Sequence, residues 1–311
     1  MIKRRTVFVL GAGSSAPYGF STGIRLLQKA LGMSAAQMVA ATEGCFQLPH
    51  MLPIYAALQD NIMPSIDMML QHQPNLWPAL KGLMAALLLD EEARALARPE
   101  VDQDWLALIA ENMATENRTI EDFARNPVAF ITFNYDRSLE YHLGRGLAQH
   151  YAIPKPRVWQ SLRDMPIIHV HGSLGLLPEQ RAAHEVTPIP YGAPVNPEYA
   201  HKSMAVRGAI DGTKIVHEVS ENEQSFMTAR HFLQLAEQVV FLGFSFGADN
   251  IRHLGMYDAI PETAHVYSTT YKMTAAEVRA DAVPAFKRTI DFQHADLPAR
   301  QFLREHIEVL R

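Results

Sequence analysis

Short runs of apolar and β-branched residues recur along this chain with little alternation of polar positions. Runs of this length and pattern are typical of strands that are buried on both faces, as in a parallel sheet. The runs are VFVLG (7–11), VAFITF (128–133), MPIIHVHG (165–172) and QVVFLGFS (238–245), with AHVYSTTY (264–271) as a fifth candidate. Each of the first four ends at or just before Gly, Asn or Ser, which favours a turn after the strand.

Helical patterns alternate with these runs. GIRLLQKALG (23–32) follows the first run closely, DRSLEYHLGRGLAQ (136–149) follows the second, and SFMTARHFLQLAEQ (225–238) precedes the fourth. Strand–helix alternation predicts an α/β fold with a doubly wound, Rossmann-like parallel sheet. We expect residues 1–311 to form a single domain, with ligands bound at the carboxyl ends of its strands.

Two long segments do not fit a simple strand–helix crossover. The stretch from about 33 to 125 is mostly helical in pattern and too long for one connection, so it predicts a large helical insertion. Its clearest helix, PALKGLMAALLLDEEARALA (78–97), suits a helical core, although Met-rich apolar helices also form assembly surfaces. The proline-containing stretch at about 174–197 predicts an irregular loop.

Composition narrows the classes of function. The 311 residues are 48% hydrophobic and 20% charged, and 28 Lys and Arg against 33 Asp and Glu give a net charge of −5. A direct nucleic-acid role therefore has no electrostatic support at the level of the whole chain. A single cysteine, Cys45, excludes an internal disulfide or a Cys-rich zinc site and favours a cytoplasmic protein.

The N-terminus imitates a secretion signal, because Lys3, Arg4 and Arg5 precede the first apolar run. Gly11 and Gly13 interrupt that run before it reaches the length of a signal core, so we interpret it as a strand. No window approaches the apolar length of a membrane span, so we expect no membrane partner.

The segment after the first run, GAGSSA (11–16), fits the pattern G-x-G-x-x-A, and we name it the first loop. In nucleotide-binding loops the first glycine permits a tight turn, and the second lets the backbone approach a pyrophosphate. The alternative is a buried strand that ends in small residues. A dehydrogenase would also need an acidic residue about 20 positions on. Residues 1–42 contain no Asp or Glu, so the loop would hold a dinucleotide in another way.

Two further strand ends contain candidate chemistry. In TFNYD, the amide of Asn134 suits a carboxamide, a ribose hydroxyl or a water, and the alternative is a cap for a helix beginning near Asp136. In HVHGS, His171 is a candidate general base, since the ordinary pKa of histidine lies near neutrality. The alternatives are a structural histidine, or a metal bound by His169 and His171, for which no third ligand at useful spacing is evident.

A second segment rich in glycine and serine, GFSFGADN (243–250), lies at the carboxyl end of the fourth run. Gly243, Ser245 and Gly247 suit contact with the adenosine end of a dinucleotide. The alternative is an ordinary strand-to-helix turn, with Asp249 or Asn250 as the cap.

Taken in order, these four motifs resemble the sirtuin-like (silent-information-regulator-type) family. The matching residues are Gly11, Ala12, Gly13 and Ser15; Asn134, Tyr135 and Asp136; His171 and Gly172; and Gly243 and Ser245. The protein deacylases of that family have a four-cysteine zinc module, a Pro-Asp-Phe-Arg segment after the first loop and a Gln before the Asn. This chain has one cysteine, STGIR after Phe20, and Phe133 in place of the Gln, so no acyl-lysine channel is evident.

The YGFSTG and TFNYD forms are similar to the bacterial branch that hydrolyses NAD in anti-phage defence and lacks the zinc module. The resemblance implies that NAD is the substrate, with His171 as base and Asn134 orienting the water or the ribose. It gives Asp136 a role in local geometry or in stabilising the sugar cation. The residues expected to bind NAD are Gly11, Ala12, Gly13, Ser14, Ser15, Tyr18, Thr22, Gly243 and Ser245. No metal is expected.

The same resemblance implies partners: NAD, further copies of the chain in a homo-oligomer, and a companion sensor or ATPase protein. Two other functions stay open. One is a sensor of NAD or ADP-ribose, or a subunit of a larger complex, without turnover of its own. The other is an NAD-dependent protein deacylase or ADP-ribosyltransferase.

Overall fold

The computed structural model describes residues 2–60, 62–63, 65–97, 99–116, 118–180, 188–195, 202–214, 223–287, 290, 292 and 295–311. Its strands are β1 Thr6–Leu10, β2 Val128–Thr132, β3 Ile167–His169, β4 Gln238–Leu242 and β5 His265–Ser268. All five predicted strands are therefore confirmed. They form one parallel sheet in the order β3-β2-β1-β4-β5, which is the strand order of a Rossmann-like fold.

The register of the sheet aligns the carboxyl ends of its three central strands. Leu10 pairs with Thr132 of β2 on one side and with Leu242 of β4 on the other. The ladder extends one step further, because Gly11 N donates to the Leu242 carbonyl at 3.0 Å and Phe133 N donates to the Leu10 carbonyl at 3.0 Å. The segments that follow β1, β2 and β4 consequently leave the sheet side by side.

Both faces of the sheet are buried, as the non-alternating apolar runs predict. Phe8 and Phe130 stack at a centroid distance of 5.3 Å on one face and belong to the larger apolar cluster. Val9, Ile131 and Phe241 face a second cluster on the other side. Helices contribute to both clusters, so the sheet is doubly wound.

Much of the described chain outside the sheet is helical. The α-helices are α1 Ala12–Ser15, α2 Gly23–Leu31, α3 Ala35–Ala41, α4 Leu48–Gln59, α5 Ile66–His72, α6 Trp77–Arg94, α7 Trp105–Ala114, α8 Ile120–Phe123, α9 Ser138–His150, α10 Lys155–Ser161, α11 Lys202–Gly212, α12 Gln224–Leu235, α13 Ala248–Leu254, α14 Met256–Ala259, α15 Ala275–Glu277 and α16 Ala299–Glu305. Short 3-10 turns span Ala16–Tyr18, Pro74–Leu76, Pro178–Gln180, Ala193–Val195, Val283–Ala285 and Ile307–Leu310, and a π-helical turn spans Val278–Ala282.

The predicted helical insertion is present as α3–α8, and α6 lies at its centre. Every residue from Ala79 to Leu89 is buried, and α6 packs against α3, α4, α5 and α11. A helix that is apolar on all sides is typical of a buried position. Of the two interpretations of this segment, the structure therefore supports the helical core.

The acidic end of α6 connects three other parts of the chain. Its ion pairs are Asp90 with Lys202 at 2.6 Å, Glu91 with Lys29, and Glu92 with Arg137 at 2.6 Å. The pair of Glu92 and Arg137 is almost completely buried, with 0% and 1% of the side chains exposed. Arg137 follows β2, so this pair connects the sheet directly to the helical insertion.

The described part of the predicted irregular loop contains only short 3-10 turns, while 181–187 and 196–201 lie outside the described residues. Arg137 Nη1 donates to the Ile189 carbonyl at 2.5 Å, and Gly192 N donates to Glu92 Oε2 at 3.3 Å. The loop is thus connected to the same buried ion pair. Within the described residues, no helix is long and apolar enough to cross a membrane.

Candidate functional site

A cavity of about 470 Å³ lies at the carboxyl edge of the sheet, where the segments after β1, β2, β3 and β4 meet. Its volume is in the range of ordinary small-molecule sites. Predicted site residues that line it are Gly11, Ala12, Ser15, Asn134, Asp136, His171 and Ser245. Sequence-distant motifs therefore converge at one cavity, as the parallel topology predicts.

Other predicted NAD-binding residues do not line the cavity within the described part of the chain, namely Gly13, Ser14, Tyr18, Thr22 and Gly243. Thr22 is the N-cap residue of α2, and its neighbours Ser21 and Gly23 line the cavity instead. Gly13, Ser14, Tyr18 and Gly243 belong to the packing beneath the cavity wall.

The glycines of the first loop allow it to contact the loop after β4. A Cβ on Gly11 would lie 2.5 Å from the Gly243 carbonyl oxygen, and one on Gly13 would lie 2.8 Å from the Gly243 Cα. Gly243 itself has φ +60°, and a Cβ there would lie 2.2 Å from Ser14 N. These glycines therefore permit backbone-to-backbone contact between two strand exits, whereas the sequence motif predicts contact with a pyrophosphate.

Several N–H groups of the first loop already have protein acceptors. Gly13 N donates to the Gly243 carbonyl at 3.0 Å, and Ser14 N donates to the Gly11 carbonyl at 2.9 Å. The Ser14 hydroxyl also donates to the Gly11 carbonyl, at 2.8 Å. A ligand phosphate at this turn would consequently depend on Ala12 and Ser15, which line the cavity.

Tyr18 connects the first loop to the helical insertion. Its hydroxyl donates to Asp104 Oδ1 at 2.8 Å and accepts from Leu106 N at 3.0 Å. Trp105 donates from Nε1 to the Ser14 carbonyl at 2.8 Å. The Tyr18 side chain is 2% exposed, so its hydrogen bonds fix the loop from below.

Asn134 bridges β2 and the first loop. Its Nδ2 donates to the Gly11 carbonyl at 3.0 Å and to Ser15 Oγ at 2.9 Å. Because a carbonyl only accepts, the amide nitrogen must face the first loop, and Oδ1 lies on the other side of the amide. No described residue donates to Oδ1, which leaves this oxygen available to a ligand or water.

Asp136, rather than Asn134, supports the start of α9. Its Oδ1 accepts from Ser138 N at 3.0 Å and from Ser138 Oγ at 2.5 Å. Burial raises the pKa of the Asp136 carboxyl, while hydrogen bonds from Ser138 and Ser15 act in the opposite direction. Asn134 is therefore not the helix cap: the N-cap position of α9 is Arg137, and the side-chain bond to the first helical N–H comes from Asp136.

His171 lies among aromatic rings at the cavity wall. Its ring centroid is 5.6 Å from that of Phe133 and 5.5 Å from that of Phe226. Burial lowers its pKa to about 4, although a contact of 3.4 Å between Nε2 and Asn250 Oδ1 acts in the opposite direction. Burial thus places the pKa of His171 below the near-neutral value that the sequence argument used, which favours the neutral imidazole at pH 7.

Sequence reasoning did not assign Asn250 to this site. Asn250 entered only as a possible cap, yet it lines the cavity and contacts His171. The N-cap of α13 is Gly247, and Asp249 pairs with Arg252 at 2.7 Å. The signal available in the sequence was the polar pair Asp249 and Asn250, which follows GFSFG after one alanine.

The electrostatic character of the cavity is mildly acidic. Its titratable lining groups are Asp136, Asp249, His171 and Tyr135, and no Lys or Arg lines it among the residues that the structure describes. An anionic ligand would therefore be held by hydroxyls and backbone amides rather than by a cation.

The two histidines of HVHGS have different partners. His169 pairs with Glu140 through Nε2 at 2.7 Å, whereas His171 contacts Asn250. The described part of the chain contains no group of three or more His, Cys, Asp or Glu side chains arranged to hold a metal ion.

Comparison with known proteins adds no identification. No protein-family model matches the chain, and a search of curated proteins finds no match. The site is therefore interpreted from its own geometry.

Proposed function

We propose that this protein is an NAD⁺ glycohydrolase, which cleaves NAD⁺ to nicotinamide and ADP-ribose. The observation that supports the proposal is the convergence of Asn134, Asp136 and His171 with the first loop at one cavity. Their order along the chain is also that of the sirtuin-like motifs.

The reaction breaks the bond between the ribose C1′ and the nicotinamide nitrogen. Nicotinamide leaves with the bonding electrons, and the sugar becomes an oxocarbenium-like cation. A water oxygen then bonds to C1′ and loses a proton, which His171 accepts and later releases to solvent. Oδ1 of Asn134 would accept a hydrogen bond from that water or from a ribose hydroxyl. Asp136 would fix the local geometry through its hydrogen bonds with Ser138, because burial raises its pKa and disfavours the carboxylate that stabilisation of the cation would need.

The low pKa of His171 is compatible with a role as a weak base that acts once the sugar cation has formed. The imidazole is neutral at pH 7 and so can accept a proton, but a pKa of about 4 gives little driving force for removing one from water. Formation of the sugar cation makes the attacking water more acidic, so only a weak base is needed at that stage.

The same property favours a second candidate function, in which the cavity binds NAD or ADP-ribose as a signal without cleaving it. A buried neutral imidazole among aromatic rings can orient a ligand by hydrogen bonding alone. With the hydrolase function, we propose a cytoplasmic effector of phage defence that acts as a homo-oligomer with a companion sensor or ATPase protein.

The test is nicotinamide release from NAD⁺, followed by chromatography over a range of protein concentrations. Wild type is compared with His171→Ala and with His231→Ala, whose side chain is exposed on α12. We expect release by wild type and His231→Ala, and a loss of about 10²-fold or more in His171→Ala.

Each other outcome has a defined meaning. Specific activity that rises with protein concentration would support activation by assembly. NAD binding without release would favour the sensor. Transfer of labelled ADP-ribose to protein, or deacylation of an acyl-lysine peptide, would replace the hydrolase with a transferase or deacylase. Full activity in His171→Ala would overturn the proposed mechanism.

A further inference from the structure

His169 joins two acceptors beneath the candidate site. Its Nδ1 lies 2.9 Å from the backbone carbonyl oxygen of Asn134, and its Nε2 lies 2.7 Å from Glu140 Oε1. Only 12% of the His169 side chain and 5% of the Glu140 side chain are exposed. A carbonyl only accepts, so Nδ1 donates to Asn134; Nε2 donates to Glu140 when that group is a carboxylate, and the imidazole is then protonated.

The charge state of this pair agrees with its geometry. Burial lowers the pKa of His169, but Glu140 and the Asn134 carbonyl outweigh this effect and raise the pKa above its ordinary value. Burial likewise raises the pKa of Glu140, but His169, a backbone hydrogen bond and Arg137 together outweigh burial and lower that pKa. The other charged groups that influence the pair are Asp136, near His169, and Arg137, near Glu140.

Asn134 is consequently held from two directions. Its backbone carbonyl bonds to His169, and its side-chain amide bonds to the Gly11 carbonyl and Ser15 Oγ. The backbone contact restricts the peptide that follows the Asn134 Cα, and the amide contacts restrict its side-chain torsions. The position of Oδ1 depends on both sets of contacts.

We propose that His169 and Glu140 form a positioning pair that holds Asn134 so that its Oδ1 is oriented for the ligand in the cavity. His169 acts through Asn134 and has no contact with the reacting atoms. This inference rests on the proposed function for its kinetic consequence, but its geometric consequence can be measured separately.

Two substitutions distinguish the contribution of the Nδ1 atom of His169 from that of its Nε2 atom. The amide nitrogen of an Asn side chain occupies a position close to Nδ1, whereas that of Gln extends to a position close to Nε2. His169→Asn therefore retains a donor for the Asn134 carbonyl, and His169→Gln retains a donor for Glu140. His231→Gln, at an exposed position on α12, controls for the substitution itself.

The kinetic expectation is a difference in kcat. A misplaced catalytic group costs on the order of 10²-fold in rate, so we expect kcat of His169→Gln to fall about tenfold or more below that of His169→Asn. KM should change by less than about threefold in both. A purely structural role would instead reduce kcat in proportion to the loss of thermal stability in each variant. That result, or wild-type kcat in His169→Gln, would overturn the proposal.

A second readout is independent of turnover. In protein labelled with ¹⁵N-asparagine, the side-chain amide signals of Asn134 are assigned by their absence in Asn134→Ser. We expect these signals to shift or broaden in His169→Gln and to stay near their wild-type positions in His169→Asn. If this holds while wild type releases no nicotinamide, positioning stands and the proposed function fails. If wild type is active and the signals are unchanged in His169→Gln, the function stands and the positioning pair is wrong.

Discussion

The side-chain nitrogen of Asn134 donates to the hydroxyl of Ser15 at 2.9 Å, across 119 positions of sequence. The same nitrogen lies 3.0 Å from the Gly11 carbonyl oxygen. These contacts connect the exits of β1 and β2 at the cavity wall. Any substitution of Asn134 therefore alters both the packing of the first loop and the group presented to a ligand.

Asn134→Asp tests the packing role. A carboxylate has no hydrogen to donate, so its oxygen would face the Gly11 carbonyl oxygen in a buried position. We expect the free energy of unfolding to fall by about 1–3 kcal/mol, measured by urea denaturation at pH 7. Asn75→Asp, at an exposed position, should change it by less than about 0.5 kcal/mol. Equal stability of wild type and Asn134→Asp would show that the amide contacts contribute nothing.

The glycines give a second prediction. Gly243→Ala would combine a positive φ with a Cβ 2.2 Å from Ser14 N, so we expect the free energy of unfolding to fall by more than about 2 kcal/mol. Gly247→Ala is the matched control, because its φ is −56° and the nearest atom to a Cβ is Asn250 Nδ2 at 4.0 Å. That variant should be unchanged or more stable by up to about 1 kcal/mol. Chemical denaturation measures the free energy of unfolding of both variants. Equal effects of Gly243→Ala and Gly247→Ala would contradict the close approach of the first loop and the loop after β4.

The sheet could be predicted because the sequence patterns that indicate its strands are local. Five apolar runs, their exits into small or polar residues, and the intervening helices determine a parallel α/β sheet, and its topology brings the strand exits together. The convergence of Asn134 and His171 at one cavity follows from that topology without any contact being known.

The contacts beneath the cavity could not be predicted in the same way. The motif gives Gly13 conformational freedom, but which surface approaches it depends on β4 lying next to β1. The pKa of His171 depends on burial among Phe133 and Phe226, which sequence spacing does not reveal. The partner of His169 is Glu140 on α9, a residue with no motif of its own.

The buried ion pair of Arg137 and Glu92 gives a third prediction. Arg137→Met leaves a buried carboxylate without its cation, and we expect the free energy of unfolding to fall by about 3–5 kcal/mol. Arg137→Met combined with Glu92→Leu removes both charges and should recover a large part of that loss. Urea denaturation of the two single variants and the double variant forms a mutant cycle. A double variant whose loss equals the sum of the single losses would show that the two side chains are not coupled.

The last prediction concerns the pH dependence of stability near His171. The groups that influence its ring are Asn250 and His253, and burial is the largest effect on its pKa. Its folded pKa of about 4 lies below the ordinary value of 6.5, so between these values the unfolded chain binds more protons at this site than the folded one. The contribution of His171 to the free energy of unfolding is therefore complete above about pH 6.5 and is lost as the pH falls toward 4. Between pH 7 and pH 5 this loss amounts to about 2 kcal/mol.

His171→Phe isolates this contribution, because a Phe ring suits the aromatic surroundings and does not titrate. Urea denaturation of wild type and variant at pH 7 and pH 5 should show the wild type losing about 2 kcal/mol more than the variant over this interval. His231→Ala, whose side chain is exposed on α12, should follow the wild type at both pH values. If wild type and His171→Phe lose equal stability between pH 7 and pH 5, His171 titrates with its ordinary pKa, and its imidazole would then be more basic than the proposed mechanism assumes.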